Sequence, residues 1–155
     1  MDKRSVRHLI TGTVLVFLVS CKEESKENAP ATRSPIEGTW KLVSATLIEK
    51  GDTTITDYTK DRSFIKIIND SHFAFLQHDL RKDSTGFSAG GGRYEFDGKN
   101  YTEHLEYCGA KAWEGHDFTF SMTIKGDTLI QSGVEKIESE GIERHNTEKY
   151  VRLKN

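Results

Sequence analysis

The octapeptide Tyr101-Thr102-Glu103-His104-Leu105-Glu106-Tyr107-Cys108 gathers an imidazole, two carboxylates, two phenols and a thiol. On a strand, alternate residues share a face. Thr102, His104 and Glu106 then point one way, and Tyr101, Glu103, Leu105 and Tyr107 the other. A histidine beside a carboxylate can hold a polar ligand or titrate near neutral pH. That pair does so only if its face points inward. The apolar area of Tyr101, Leu105 and Tyr107 favours burying the opposite face. An enzyme built on His104 and Glu106 is the weaker use of these groups. Glu103 and Glu106 fall on opposite faces, which makes a poor acid–base couple. Nothing local marks a nucleophile. The residues weigh against an enzyme without excluding one, and no catalytic residue is assigned.

Other chemistry is thinly represented. A metal site needs several ligands converging on one point. His72 and His78 share a strand face but lie about 20 Å apart on a straight strand. No His-Glu-x-x-His or Cys-x-x-Cys spacing occurs. Ala89-Gly90-Gly91-Gly92 does not open a helix, so it suits a strand kink or bulge better than a phosphate loop. No metal and no cofactor is expected. Cys108 reads as a small, partly buried residue, with only Lys111 nearby in sequence to activate a thiol.

The elements that must position these groups are short strands. Trp40, Leu42, Ser44, Thr46 and Ile48 form one face of a first strand from Gly38. Thr53–Thr56 makes a second. Ser63–Ile68 and His72–Gln77 flank Asn-Asp-Ser, and Arg93–Phe96 and Asn100–Tyr107 flank Asp-Gly-Lys; both are hairpin signals. Residues 81–92 read as a long connection. His116–Lys125 and Asp127–Val134 flank Gly126, Glu135–Gly141 reads as a charged loop, and Ile142–Lys154 ends the chain. Hairpin after hairpin predicts an all-β, up-and-down antiparallel barrel of about 8–10 strands, because closure removes reactive sheet edges. Phe64, Phe73, Phe75, Tyr94, Phe96, Phe118 and Phe120 alternate along these strands as core or cavity wall.

The N-terminus is of another kind. Lys3, Arg4 and Arg7 precede the apolar run Leu9–Val19. That is a secretory signal, shorter than the roughly 20 residues of a spanning helix. The run ends Leu18-Val19-Ser20-Cys21, which resembles a bacterial lipobox. The resemblance implies removal of residues 1–20 and acylation, palmitate-type chains included, at Cys21. Acyl chains stabilise membrane attachment by about 0.8 kcal/mol per buried CH₂. Lys22-Glu23-Glu24 resembles the export signal of surface lipoproteins in the Bacteroidetes. Residues 21–35 carry no apolar period and read as a lipid-anchored tether spanning about 20 Å. Residues 36–155 make one domain. The formal charge is −2, and losing three bases and one acid with the signal takes it to −4. A nucleic-acid partner would want a basic face, so none is expected. With Cys21 acylated, Cys108 has no disulfide partner.

Gly38-Thr39-Trp40 resembles the Gly-x-Trp of lipocalins. The stretch from Ile36 to Leu153, and Gly90–Tyr107 most of all, is similar to the lipocalin-like lipoproteins of the Bacteroidetes. That resemblance implies a small barrel, with Arg152 in the last strand covering Trp40 at a closed end. It carries no established activity. The expected function is an envelope lipoprotein, anchored to the outer membrane and exposed at the surface. Its barrel would bind a small apolar or amphipathic ligand within Trp40, Phe73, Phe75, Phe96 and Phe120, with His104 or Tyr107 as polar handles. The alternative is a filled barrel that meets an envelope protein partner through loops 81–92 and 108–115, with Trp113 exposed.

Overall fold

Short β-rich runs separated by turn residues form nine antiparallel strands. They are β1 (Gly38–Glu49), β2 (Asp52–Asp57), β3 (Arg62–Ile68), β4 (His72–Asp79), β5 (Phe87–Phe96), β6 (Asn100–Cys108), β7 (Asp117–Lys125), β8 (Thr128–Ile137) and β9 (Ile142–Arg152). The structure, a computed structural model, describes residues 33–154. The expected signal peptide, Cys21 and the expected tether through residue 32 lie outside the described residues. Helix among the described residues is limited to two 3-10 turns, Lys111–Trp113 and Glu138–Glu140.

From β3 to β9 each strand pairs with the next, and β9 returns to pair with β1 from Arg152 opposite Trp40 to Arg144 opposite Glu49. The other edge of β1 is shared. Gly38–Lys41 pairs with β3 and Ser44–Glu49 with β2. Eight strands, β1 and β3 to β9, therefore close an up-and-down barrel, while β2 extends the wall beside the second half of β1. Closure leaves the barrel strands no long free edge.

Two of the hairpins are set by side chains that mimic backbone turns. Asn69 Oδ1 accepts from the amides of Ser71 and His72 at 2.9 and 2.7 Å. Asp97 Oδ1 accepts from the amides of Lys99 and Asn100 at 2.9 and 2.7 Å. Such Asx turns are why Asn and Asp mark tight turns. Both hairpins and the β7–β8 turn at Gly126 lie at the end where β1 begins and β9 finishes. The longer connections, 80–86, 109–116 and 138–141, lie at the opposite end. The barrel thus has a tightly turned end and a looped end.

The tight end is sealed by one tryptophan. Trp40 is fully buried, and its indole Nε1 donates to the Ile36 carbonyl at 2.8 Å. The Arg152 guanidinium lies 4.0 Å from the centre of its ring. Arg152 also donates to the carbonyls of Glu37 and Pro35, at 2.6 and 2.8 Å. Gly38, at φ 137°, lets the guanidinium pass, because a Cβ there would stand 2.6 Å from an Arg152 nitrogen. A cation over an indole face is favourable when desolvated, and here the same cation ties down the entering chain.

Three expectations change. The glycine-rich stretch does not belong to a loop, since β5 starts at Phe87 and runs through it. A Cβ on Gly92 would lie 1.9 Å from the His104 carbonyl oxygen, so only glycine allows β5 and β6 to approach there. Glu135–Ile137 continues β8 rather than opening a charged loop. Strict alternation also fails twice. Val43 is an extra residue in β1 opposite β9, and Glu106 an extra residue in β6 opposite β5. Each bulge inverts the faces beyond it. Ala45 and Leu47 therefore follow Trp40 and Leu42 on the inner face, in place of Ser44, Thr46 and Ile48. On β6, Cys108 turns in and Tyr107 turns out.

Candidate functional site

The barrel interior changes character along its axis. Toward the tight end it is packed with apolar and aromatic side chains, among them Trp40, Leu42, Ile68, Phe73, Met122 and Leu129, all buried. Above them a cavity of about 260 Å³ opens toward the loops. Its apolar wall includes Tyr58, Phe64, Phe75, Leu105, Phe118 and Phe120. Phe64 and Phe75 stack at 5.6 Å between ring centres, and Tyr58 meets Phe64 edge-on at 6.0 Å.

The base of the cavity is polar. Lys66 is 3% exposed, and its Nζ donates to Glu103 Oε1 at 2.6 Å and to Gln131 Oε1 at 2.9 Å. Glu103 and Gln131 are themselves buried. The ammonium also faces the rings of Phe73, Tyr101 and Tyr150 at 5.4–5.8 Å. Burial pushes the Glu103 carboxyl above its ordinary value, while the Lys66 charge pulls it back. Tyr150 is fully buried and donates to Glu148 Oε2 at 2.6 Å. Burial, then the Glu148 charge, drives its phenol well above the usual range. A buried charge persists only when paired and hydrogen-bonded, and Lys66 meets both conditions.

A second polar group lies nearer the mouth. Arg144 Nε donates to Glu135 Oε2 at 2.6 Å, and Asn146 Nδ2 donates to Glu135 Oε1 at 2.9 Å. The Arg144 guanidinium stacks on Trp113 at 4.7 Å, and Trp113 meets Phe118 at 5.6 Å between ring centres. Trp113 is thus half-buried, folded over the mouth at the Lys111–Trp113 turn, and not exposed as the sequence reading expected.

The residues singled out in the sequence separate into three groups. Phe75 and Phe120 line the cavity. Trp40 and Phe73 belong to the packed floor, and Phe96 packs against it. His104 and Tyr107 are outside. His104 Nδ1 lies 2.9 Å from Asp117 on the outer wall, and Glu106 accepts from Arg93 at 2.6 Å, so His104 and Glu106 each pair elsewhere. Tyr107 is 68% exposed and stands near Phe87, 65% exposed, beside the outer face of Gly90–Gly92. Among the described residues, no group of three metal-binding side chains converges.

Lys66, Gln131, Glu135, Arg144, Asn146 and Glu148 were not singled out. Their signal is a period of two. In β9, Ile142, Arg144, Asn146, Glu148, Tyr150 and Arg152 alternate, and in β8 so do Leu129, Gln131, Glu135 and Ile137. Polar residues sharing a face with fully buried apolar ones mark a polar interior.

Fold and site define a closed eight-stranded β-barrel with an internal, partly polar cavity open at one end. No protein-family model matches the chain, and no curated protein matches it by sequence.

Proposed function

We propose that this chain is a lipid-anchored envelope protein whose barrel binds one small amphipathic molecule. The observation that carries the reading is the cavity of about 260 Å³, with an aromatic wall and a hydrogen-bonded polar base. Binding sites pair apolar walls with a few placed polar groups in this way. The volume corresponds to about nine waters, which restricts the ligand to a small molecule. The anchor rests on the lipobox-like Leu18-Val19-Ser20-Cys21 and its resemblance to outer-membrane, surface-exposed lipoproteins. The chain enters the barrel at the tight end, where Pro35 and Glu37 meet Arg152. The mouth is at the other end of the barrel from Pro35 and Glu37.

One preparation tests both parts. The mature protein, extracted gently from its native host, is weighed by native and then denaturing mass spectrometry. A noncovalent mass that vanishes on denaturation, of the small size that about nine waters' volume admits, is the expected result. The denatured chain should begin at Cys21 and carry acyl chains. An Ala45→Phe variant, which places a ring in the cavity, should lose the noncovalent mass and keep the acyl mass. A ligand-sized mass that survives Ala45→Phe counts against the cavity, and an unmodified Cys21 counts against the anchor.

The exposed pair Phe87 and Tyr107 favours a second, compatible reading, in which the outer wall meets another envelope protein. A Phe87→Ser/Tyr107→Ser variant that co-purifies with the same proteins as the unaltered chain rules it out.

A further inference from the structure

Of the three carboxylates that line the cavity, Glu103, Glu135 and Glu148, only two are answered by a cation among the described residues. Both of its cations are engaged, Lys66 by Glu103 and Gln131, and Arg144 by Glu135 and the Trp113 ring. Two acceptors remain on the inner face of β9. Asn146 is 6% exposed, and its Nδ2 bond to Glu135 fixes the amide so that Oδ1 is the free atom. That Oδ1 is buried with no hydrogen-bond partner among the described residues. A buried acceptor left unpaired is costly, so such atoms point to a missing donor. Two residues along the strand, Glu148 also lines the cavity. It makes no ion pair among the described residues and takes only the Tyr150 hydroxyl. Residues two apart on a strand face are separated by about 7 Å, so Asn146 and Glu148 belong to the same stretch of cavity wall. Around them are the rings of Tyr58, Phe64 and Phe75. Burial, and after it the Glu148 charge, raises the Tyr58 phenol above its ordinary value.

We propose that the ligand is a small amine, whose ammonium group is held by the Glu148 carboxylate while its apolar body lies against Tyr58, Phe64 and Phe75. An ammonium brings three donors and one positive charge, which supplies the counter-charge that Glu148 lacks among the described residues. Aromatic faces attract the same cation. A carboxylate ligand would meet Glu148 as a like charge and is disfavoured. This inference rests on the cavity being a binding site and narrows what it binds.

The test uses three probes of nearly one shape, measured on the mature protein by equilibrium dialysis. They are tryptamine, tryptophol, which carries a hydroxyl in place of the ammonium, and indole-3-propionate. Tryptamine should bind one to one and at least about tenfold tighter than tryptophol, the worth of a charge-assisted hydrogen bond. Indole-3-propionate should bind weakest. Glu148→Gln should bring tryptamine down to the affinity of tryptophol and leave tryptophol unchanged. Equal affinity for all three probes, or a preference for the anion, overturns the amine assignment and leaves the cavity reading standing. No binding of any probe overturns both. The ranking on the unaltered protein needs no substitution, so a variant that fails to fold does not blunt the test.

Discussion

Replacing Lys66 by methionine should destabilise the barrel by roughly 3–5 kcal/mol at neutral pH, because it strands the Glu103 carboxylate. Methionine keeps most of the lysine stem, so packing changes little. What is lost is the charge 2.6 Å from Glu103 Oε1. At about 4 °C per kcal/mol for a domain of this size, the melting temperature should fall by roughly 12–20 °C. The pH dependence identifies the cause. Burial already raises the Glu103 carboxyl above its ordinary 4.5 against the pull of Lys66. Without Lys66 it must rise further. A group whose pKa is raised by folding favours the folded state below its unfolded value, and that advantage is lost as pH rises through the folded value. The deficit of Lys66→Met should therefore be full at pH 7 and shrink as pH falls toward 4.5. Adding Glu103→Leu should restore most of the stability, since a well-packed apolar pair can replace a buried ion pair. Melting curves of the three proteins between pH 4.5 and 7.5 measure this. A single variant with a pH-independent deficit would show that packing, not the stranded charge, is at fault.

Trp40→Ala should cost about 3–5 kcal/mol, the loss expected for a fully buried large aromatic. The indole fills the tight end, donates to the Ile36 carbonyl and carries the Arg152 guanidinium on its face. Alanine removes all three at once and leaves Arg152 over a void. Trp40→Phe should cost less, because a ring remains beneath the cation and only the bond to Ile36 is lost outright. The chain has two tryptophans, so in either variant Trp113 becomes the sole indole reporter. Guanidinium unfolding followed by Trp113 fluorescence reads the mouth while the tight end is altered. A midpoint within about 0.5 M of the unaltered chain, which at a few kcal/mol per molar is a small change, would show that the tight end does not hold the barrel together.

What was legible in the sequence was local. Asn69-Asp70-Ser71 and Asp97-Gly98-Lys99 announced hairpins because their side chains and φ preferences act within three or four residues. Alternating aromatics such as Phe118 and Phe120 marked an inner face for the same reason, since the period of a strand belongs to the strand alone. A series of such hairpins has few arrangements other than an up-and-down sheet, and eight strands closing that sheet is what the structure shows.

What was not legible depended on a partner strand. Glu106 is a bulge only because the glycines of β5 let that strand approach β6 closely, and this one extra residue put Tyr107 outside and Cys108 inside. Val43 did the same to β1. Glycine is a poor strand former in isolation, so residues 89–92 read as a kink or bulge at the end of a long connection, and not as the middle of a strand, until the missing Cβ had a neighbour to make room for. The polar cavity is the clearest case. Lys66 and Glu103 are 37 residues apart, and Lys66 and Gln131 are 65 apart. Each lies at an inward position that its own strand period indicates, but their convergence on one ammonium is a property of closure. By itself, the sequence determined strands, turns and which residues alternate. The tertiary structure alone decided which faces the bulges inverted and which polar groups met, because those outcomes follow from distances between strands and not from the order of residues within one.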